Sequence, residues 1–364
     1  MSWLFVFLGF SALIILHEAG HFFAAKATGM RVERFFLFFG PTLFSIKRGE
    51  TEYGVKAIPL GGYVKISGMN PEEKLPPEVV HRAYYRQPVW KRIVVIAAGP
   101  AVNIALAFAL LFFVAFHYPE ADSRIGSVKA GSPAAASTLK PGDRLVSVDG
   151  KSFAGASVEK RLARFGHMIS AHKCAEKIPT KGCRASTPVE LEIERGGEHR
   201  MVTVYPAYDP TNKRTLVGIE YAVVPAAATA GGAASFAWDK MWLVASGTVH
   251  VFSHIFESEQ RKQISGVVGI SDVGHQVVGF GVYPSLLLLA LVSFSLGLIN
   301  LLPILPLDGG HMFWSLVEKL RGRPVSLQVM ERASIIGFAL VAMLFFIGLN
   351  NDIGRITGEG FNVR

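Results

Sequence analysis

Residues 17–21 read His17-Glu18-Ala19-Gly20-His21 and lie inside an almost unbroken apolar run from Trp3 to Ala25. On a helix the two histidines fall one turn apart on one face, so both imidazoles can reach one metal ion. Glu18 borders that face and can take a proton from a water held there. Two neutral imidazoles and a carboxylate are the parts of a zinc hydrolase. His-x-x-x-His arises by chance and on solvated helices. Here, however, three ionisable groups interrupt a segment that otherwise excludes charge, and ionisable groups in hydrocarbon are costly and usually functional. A secretory signal peptide fits poorly, because Met1-Ser2-Trp3 has no basic residue and the apolar stretch is too long.

The remainder of the chain supports a membrane setting. Of 364 residues half are hydrophobic and only 18% charged, with the apolar residues gathered in blocks. That pattern predicts a multispan α-helical membrane protein with about four spans, carrying soluble inserts. The net charge of +9 does not point to nucleic acid, since the basic residues flank apolar segments and form no aromatic-interleaved patch. No internal repeat or long low-complexity tract is present.

Taken in order, 1–25 is the first transmembrane helix and 26–92 a loop on the cytoplasmic side. Counted from Lys26, that loop carries twelve Lys and Arg, the excess expected of a cytoplasmic connection. Within it, Glu52–Ser67 alternates around Pro59-Leu60-Gly61-Gly62 and predicts a membrane-associated β-hairpin or looped sheet. It serves either as a surface hairpin or, through Gly61, Gly62, Tyr63 and Val64, as an edge that pairs with an extended substrate. Residues 93–117 form the second span. Its Ala97-Ala98-Gly99-Pro100 suits close helix approach. Asn103, a lone amide there, reads either as interhelical glue or as a group supporting the metal or touching substrate.

Charge and β-branched residues return over 122–210, predicting a soluble α+β domain on the far side. Its Ile125–Val128 and Leu139-Lys140-Pro141-Gly142-Asp143 through Asp149-Gly150 resemble a PDZ domain of the bacterial type. Cys174 and Cys183 form a disulfide if that compartment is oxidising, or remain two thiols. Residues 226–281 read as a small-residue linker followed by an interfacial amphipathic helix over Ser235–Phe256. The third span, 282–311, runs into Asn300-Leu301-Leu302-Pro303 and then Pro306-Leu307-Asp308-Gly309-Gly310-His311. The prolines and glycines break the helix at membrane depth, where irregular backbone needs protein cover or a wet cavity. An acidic residue at such a break, Asp308, is the candidate third metal ligand; His311 is its competitor. The fourth span is 333–349. Asp308 shares the depth of the two histidines only if Ser235–Phe256 does not cross.

With both motifs in place, the chain resembles the site-2 protease family, nearest to the RseP type (regulator of sigma-E protease) of intramembrane zinc proteases with periplasmic PDZ domains. Gly61-Gly62-Tyr63-Val64-Lys65 and Ala98-Gly99-Pro100-Ala101-Val102-Asn103 fall in the family's order. One PDZ domain is visible where that type carries two in tandem. The resemblance implies Zn2+ on His17, His21 and Asp308, with Glu18 as catalytic base. It also implies substrate contact by the Gly61–Ile66 sheet region and by Asn300 with its neighbour Pro303. The expected substrates are single-span membrane proteins already cut by another protease, such as anti-sigma factors, and remnant signal peptides. The expected setting is a bacterial cell inner membrane, with the protein acting as a monomer, its PDZ domain in the periplasm and its active site toward the cytoplasm. Two other readings are a non-catalytic zinc-binding adaptor that recruits peptides through its PDZ domain, and a transporter. An intact Glu18, only three evident ligands and the lack of paired broken helices disfavour both.

Overall fold

The computed structural model describes residues 2–358 apart from 71, 154–157, 177–178, 181, 211, 255–256, 258–260 and 262–263. The chain divides into two compact units, Tyr118–Ala226 and the remainder.

The larger unit is built on helices. Four are long and apolar enough to cross a membrane: α1 (Ser2–Ala27), α3 (Val89–Ala115), α7 (Val282–Asn300) and α9 (Leu327–Thr357). Each exposes large apolar side chains around its circumference, the pattern of a helix solvated by lipid. α1 packs on α3, and α3 on α7. Small residues let them approach closely. A Cβ on Gly20 would meet the Ala98 carbonyl oxygen at 2.5 Å, and one on Gly297 the Pro100 carbonyl oxygen at 3.0 Å. The break after α7 occupies 301–307, and α8 (Asp308–Arg321) starts with the aspartate itself.

Between α1 and α3 stand two long strands, β1 (Val32–Arg48) and β2 (Thr51–Ile66), followed by the short helix α2 (Pro77–Val80). The expected hairpin turn at Pro59–Gly62 is not there. The chain reverses at Gly49-Glu50, and positions 59–62 lie within β2. Both strands bend, so that Arg34–Leu37 face Lys65–Gly62 on one side and Glu52–Val55 on the other, while Phe44–Arg48 pair with Val55–Thr51. The Phe-rich run 35–39 has no polar alternation and so gave no strand signal. Its partners lie 18 to 29 residues on, in two separate stretches of β2, a pairing no local pattern reports.

Other boundaries shift too. The last helix extends well beyond 333–349, because Asn351 and Asp352 bind backbone groups of the segment before α6 (Val267–Val278) and of its first turn. Among its described residues the tract 226–281 has the helices α5 (Ala230–Ser253) and α6. α5 is not among the helices apolar enough to span.

The smaller unit is wider than 122–210. Its five-stranded sheet runs β6-β5-β4-β3-β9, and β9 (Ile219–Pro225) closes it by pairing with β3 (Pro119–Val128). β4 (Arg144–Val148), β5 (Val189–Arg195) and β6 (Glu198–Val204) complete it, and β7 (Ala207–Asp209) pairs separately with β8 (Arg214–Leu216). Helix α4 (Val158–Ala171) buries Leu162, Phe165 and Ile169 at helical spacing against Ile125, Leu145 and Leu191. Asp149 and Gly150 both take positive φ, 47° and 71°, the geometry an Asp-Gly hairpin requires. Burial would raise the carboxyl of Asp143, but bonds from the Arg195 guanidinium and the Lys140 amide outweigh it and hold the group below its usual value. Cys174 and Cys183 are joined as a disulfide.

Candidate metal centre

His17 and His21 are buried on the α1 face that meets α3, and Asp308 reaches them from the start of α8. The Nε2 of His17 stands 3.1 Å from Asp308 Oδ2. The Nε2 of His21 is 3.2 Å from His17 Nε2 and 3.3 Å from Asp308 Oδ2. Ligand atoms about 2.0 Å from a tetrahedral ion sit roughly 3.3 Å apart. The three atoms therefore form one face of such a site, with the remaining position open. The other ring nitrogen of His21 bonds the Val95 carbonyl at 2.9 Å. A carbonyl only accepts, so Nδ1 carries the proton and Nε2 keeps its lone pair for a metal. The donor set, spacing and tautomer all fit zinc.

Among the described residues, this is the only cluster of three His, Cys, Asp or Glu with ligand atoms this close. His311 is excluded from it. It lines a neighbouring cavity of 440 Å³ with Tyr84, Arg92, Pro306 and Glu318. α8, which opens with Asp308, is tied to α3 further along, where buried Arg92 grips Glu318 through two bonds of 2.9 and 2.6 Å. Bidentate pairing of this kind fixes orientation as well as distance.

Glu18 faces the same triangle, within electrostatic reach of both histidines and Asp308, and its carboxyl lies near the Val64 amide. β2 passes it closely: a Cβ on Gly62 would lie 3.1 Å from Glu18 Cγ. Gly61 holds φ +131°, where any side chain would also press on Phe39. Amides alternate in direction along a strand. Ser67 donates inward to Arg31, so by that alternation Gly62, Val64 and Ile66 present their amides on the side away from β1. The run 62–66 has no strand on that side among the described residues. Tyr63 stacks on Phe36 with centroids 5.7 Å apart.

Of the other sequence candidates, only Asn103 stands beside the triangle. Asn300 is half-buried and returns its amide to the Leu296 carbonyl of its own helix. Pro303 is exposed in the break. Asn103 is fully buried beside His17. One residue escaped the sequence reading altogether. Gly99 was visible only as a helix-packing glycine, yet a Cβ there would overlap His21 Nε2 and sit 2.9 Å from His17 Nε2. The available signal was its place one turn before Asn103.

Two histidines one turn apart, a distant aspartate and an adjacent glutamate define a zinc-dependent hydrolase. The profile of peptidase family M50 matches residues 5–344, and the chain belongs to that family. A putative zinc metalloprotease of Rhizobium meliloti is 32% identical over 385 residues, covering 97% of this chain and 96% of its own. Zinc metalloprotease Rip1 of Mycobacterium tuberculosis is 32% identical over 338 residues, covering 85% and 83%. A putative zinc metalloprotease of Clostridium acetobutylicum is 28% identical over 346 residues, covering 95% of each chain. The chain is a zinc metalloprotease with the architecture of a membrane protein.

Proposed function

We propose that the protein is an intramembrane endopeptidase of the site-2, RseP-like type, cutting peptide bonds within the membrane segments of proteins already trimmed by another protease. The observation that carries this reading is the meeting of three elements in one place. His17, His21 and Glu18 lie on a helix long enough to span, Asp308 completes the triangle from the break before α8, and an unpaired strand edge runs past Glu18.

Zinc bound by His17, His21 and Asp308 supplies a Lewis acid for the peptide carbonyl and lowers the pKa of water toward neutrality. Glu18 takes the proton of the attacking water and returns it to the departing amine. A helical substrate hides its carbonyls in its own hydrogen bonds, so it must unwind before cleavage. The outward amides of Gly62, Val64 and Ile66 offer replacement bonds to the unwound stretch. Asn300 and Pro303, at the helix break, are the further substrate contacts that the family resemblance implies.

The Tyr118–Ala226 unit is a single PDZ domain in this reading. Its edge strand β9 and helix α4 flank a groove of 240 Å³ that includes Leu162, Ile169, Ile219 and Tyr221, a place for an extended peptide. The setting is a bacterial inner membrane, with this unit in the periplasm, the active site toward the cytoplasm and α5 in the interface. Anti-sigma factors and remnant signal peptides are the substrate classes. The lipid bilayer is the other partner, and the protein acts as a monomer.

The test is Glu18→Gln, which keeps all three ligands. Cleavage of a truncated single-span substrate and bound zinc are followed together. Zinc retained with cleavage lost supports the reading. Unchanged cleavage overturns Glu18 as base, and a purified wild type that cleaves soluble peptides but no membrane segment overturns the substrate class.

A further inference from the structure

We propose that Asn103 is the positioning residue of His17, its side-chain oxygen holding the Nδ1 proton so that Nε2 turns its lone pair into the ligand triangle. The inference rests on the zinc site above. Asn103 is 0% exposed and so is not placed to touch a substrate. Its Nδ2 is 3.4 Å from His17 Nδ1, and its Oδ1 is buried without a hydrogen-bond partner.

The chemistry decides between two orientations of that amide. With nitrogen toward the ring, Nδ1 must accept, and the ring proton is forced onto Nε2. That is the atom 3.1 Å from Asp308 and 3.2 Å from His21 Nε2, where a proton excludes metal ligation. The buried oxygen is then the atom without a partner. Amide nitrogen and oxygen differ only by assignment. Turned over, Oδ1 accepts the Nδ1 proton and frees Nε2; the amide nitrogen then takes the unpartnered place, so what decides the orientation is the ring tautomer that a metal needs.

His21 offers an internal comparison, since its Nδ1 is already held by an acceptor, the Val95 carbonyl. Val95, Gly99 and Asn103 follow one another at four-residue steps on α3. The first holds one histidine, the second leaves room for both, and the third holds the other. α3 is thereby the orienting wall of the site. Ser293 of α7 donates to the Asn103 carbonyl at 2.9 Å, which fixes the backbone and leaves the amide free for His17.

The test measures zinc affinity by chelator competition on the full chain in detergent, together with the visible spectrum of the cobalt-substituted protein. Asn103→Leu removes the acceptor at similar volume; should it fail to fold, Asn103→Ala serves. Asn103→Asp restores an acceptor, and Ser293→Ala disturbs the same packing without touching His17. Loss of the acceptor lowers affinity roughly 10- to 100-fold and shifts the cobalt bands, while Asn103→Asp and Ser293→Ala stay near wild type. A loss variant that binds zinc as tightly as wild type, or an Asp variant as weak as the Leu variant, overturns the proposal. A wild type that binds no stoichiometric zinc overturns the metalloprotease reading itself.

Discussion

Gly99 lies against the metal-facing edge of His21 with no side chain between them, and no larger residue fits there: a Cβ would overlap Nε2 and Cε1 of that ring. Gly99→Ala is therefore expected to abolish zinc binding and proteolysis. Alanine favours a helix over glycine by about 1 kcal/mol, so α3 itself persists. Metal analysis alongside circular dichroism checks this; full zinc occupancy in G99A would mean that the ligands have room to move.

The outward amide of Val64 tests whether this strand edge takes part in the reaction, by pairing with substrate or through the neighbouring Glu18. Proline is tolerated on a strand edge where the missing N–H faces away from the sheet. Val64→Pro should leave zinc bound and the fold intact while cutting turnover about tenfold, the worth of one hydrogen bond. Tyr63→Pro strikes an inward amide and should disrupt the sheet. Initial rates with matched zinc contents decide, and an unaffected V64P rate would remove the edge strand from the mechanism.

Asp352 is wholly buried in the last helix, accepting the Gly266 amide at 3.2 Å and the Gly269 amide at 2.7 Å. It caps α6 from another helix. Asp352→Ala leaves both donors unpaired and should cost about 3 kcal/mol, with Asp352→Asn losing roughly half as much. Thermal unfolding in one detergent compares them. Equal melting temperatures would show that water replaces the carboxylate.

Glu50, at the β1–β2 turn, carries a pH signature. The Arg82 guanidinium pulls its carboxyl down to about 2 against the opposing push of burial, and Lys26 adds to the pull. A carboxyl depressed by folding stabilises the protein fully above its unfolded value of 4.5, and that contribution fades as pH falls from there toward 2. Glu50→Gln should thus lower stability by about 1 kcal/mol at neutral pH, a partly exposed pair being worth no more. Its melting curve should converge with wild type near pH 2. A constant offset across that window would rule out the ion pair as the cause.

Much of the site was legible in the chain itself. His17 and His21 were readable because helical periodicity is local and charge stands out in an apolar run. Asp308 was readable because prolines and glycines announce a broken helix. The Asp149-Gly150 turn was readable because few residues tolerate its backbone. A sheet element over Glu52–Ser67 was readable and is β2, but its double pairing with β1 was not, since that joins residues up to about thirty apart, nor was the full length of α9, whose polar end is held by a distant segment.

The sequence by itself determined the kind of chemistry: which side chains can ligate, which can move a proton, and which segments can lie in lipid. Those properties belong to single residues and to spacings within a helical turn. Only the tertiary structure decided that Gly99 clears space for the ligands, that Arg92 and Glu318 tie α8 to α3, and that Val95 and Asn103 stand behind the histidine rings. Each depends on contacts between helices far apart in the chain, set by close packing that no local pattern encodes.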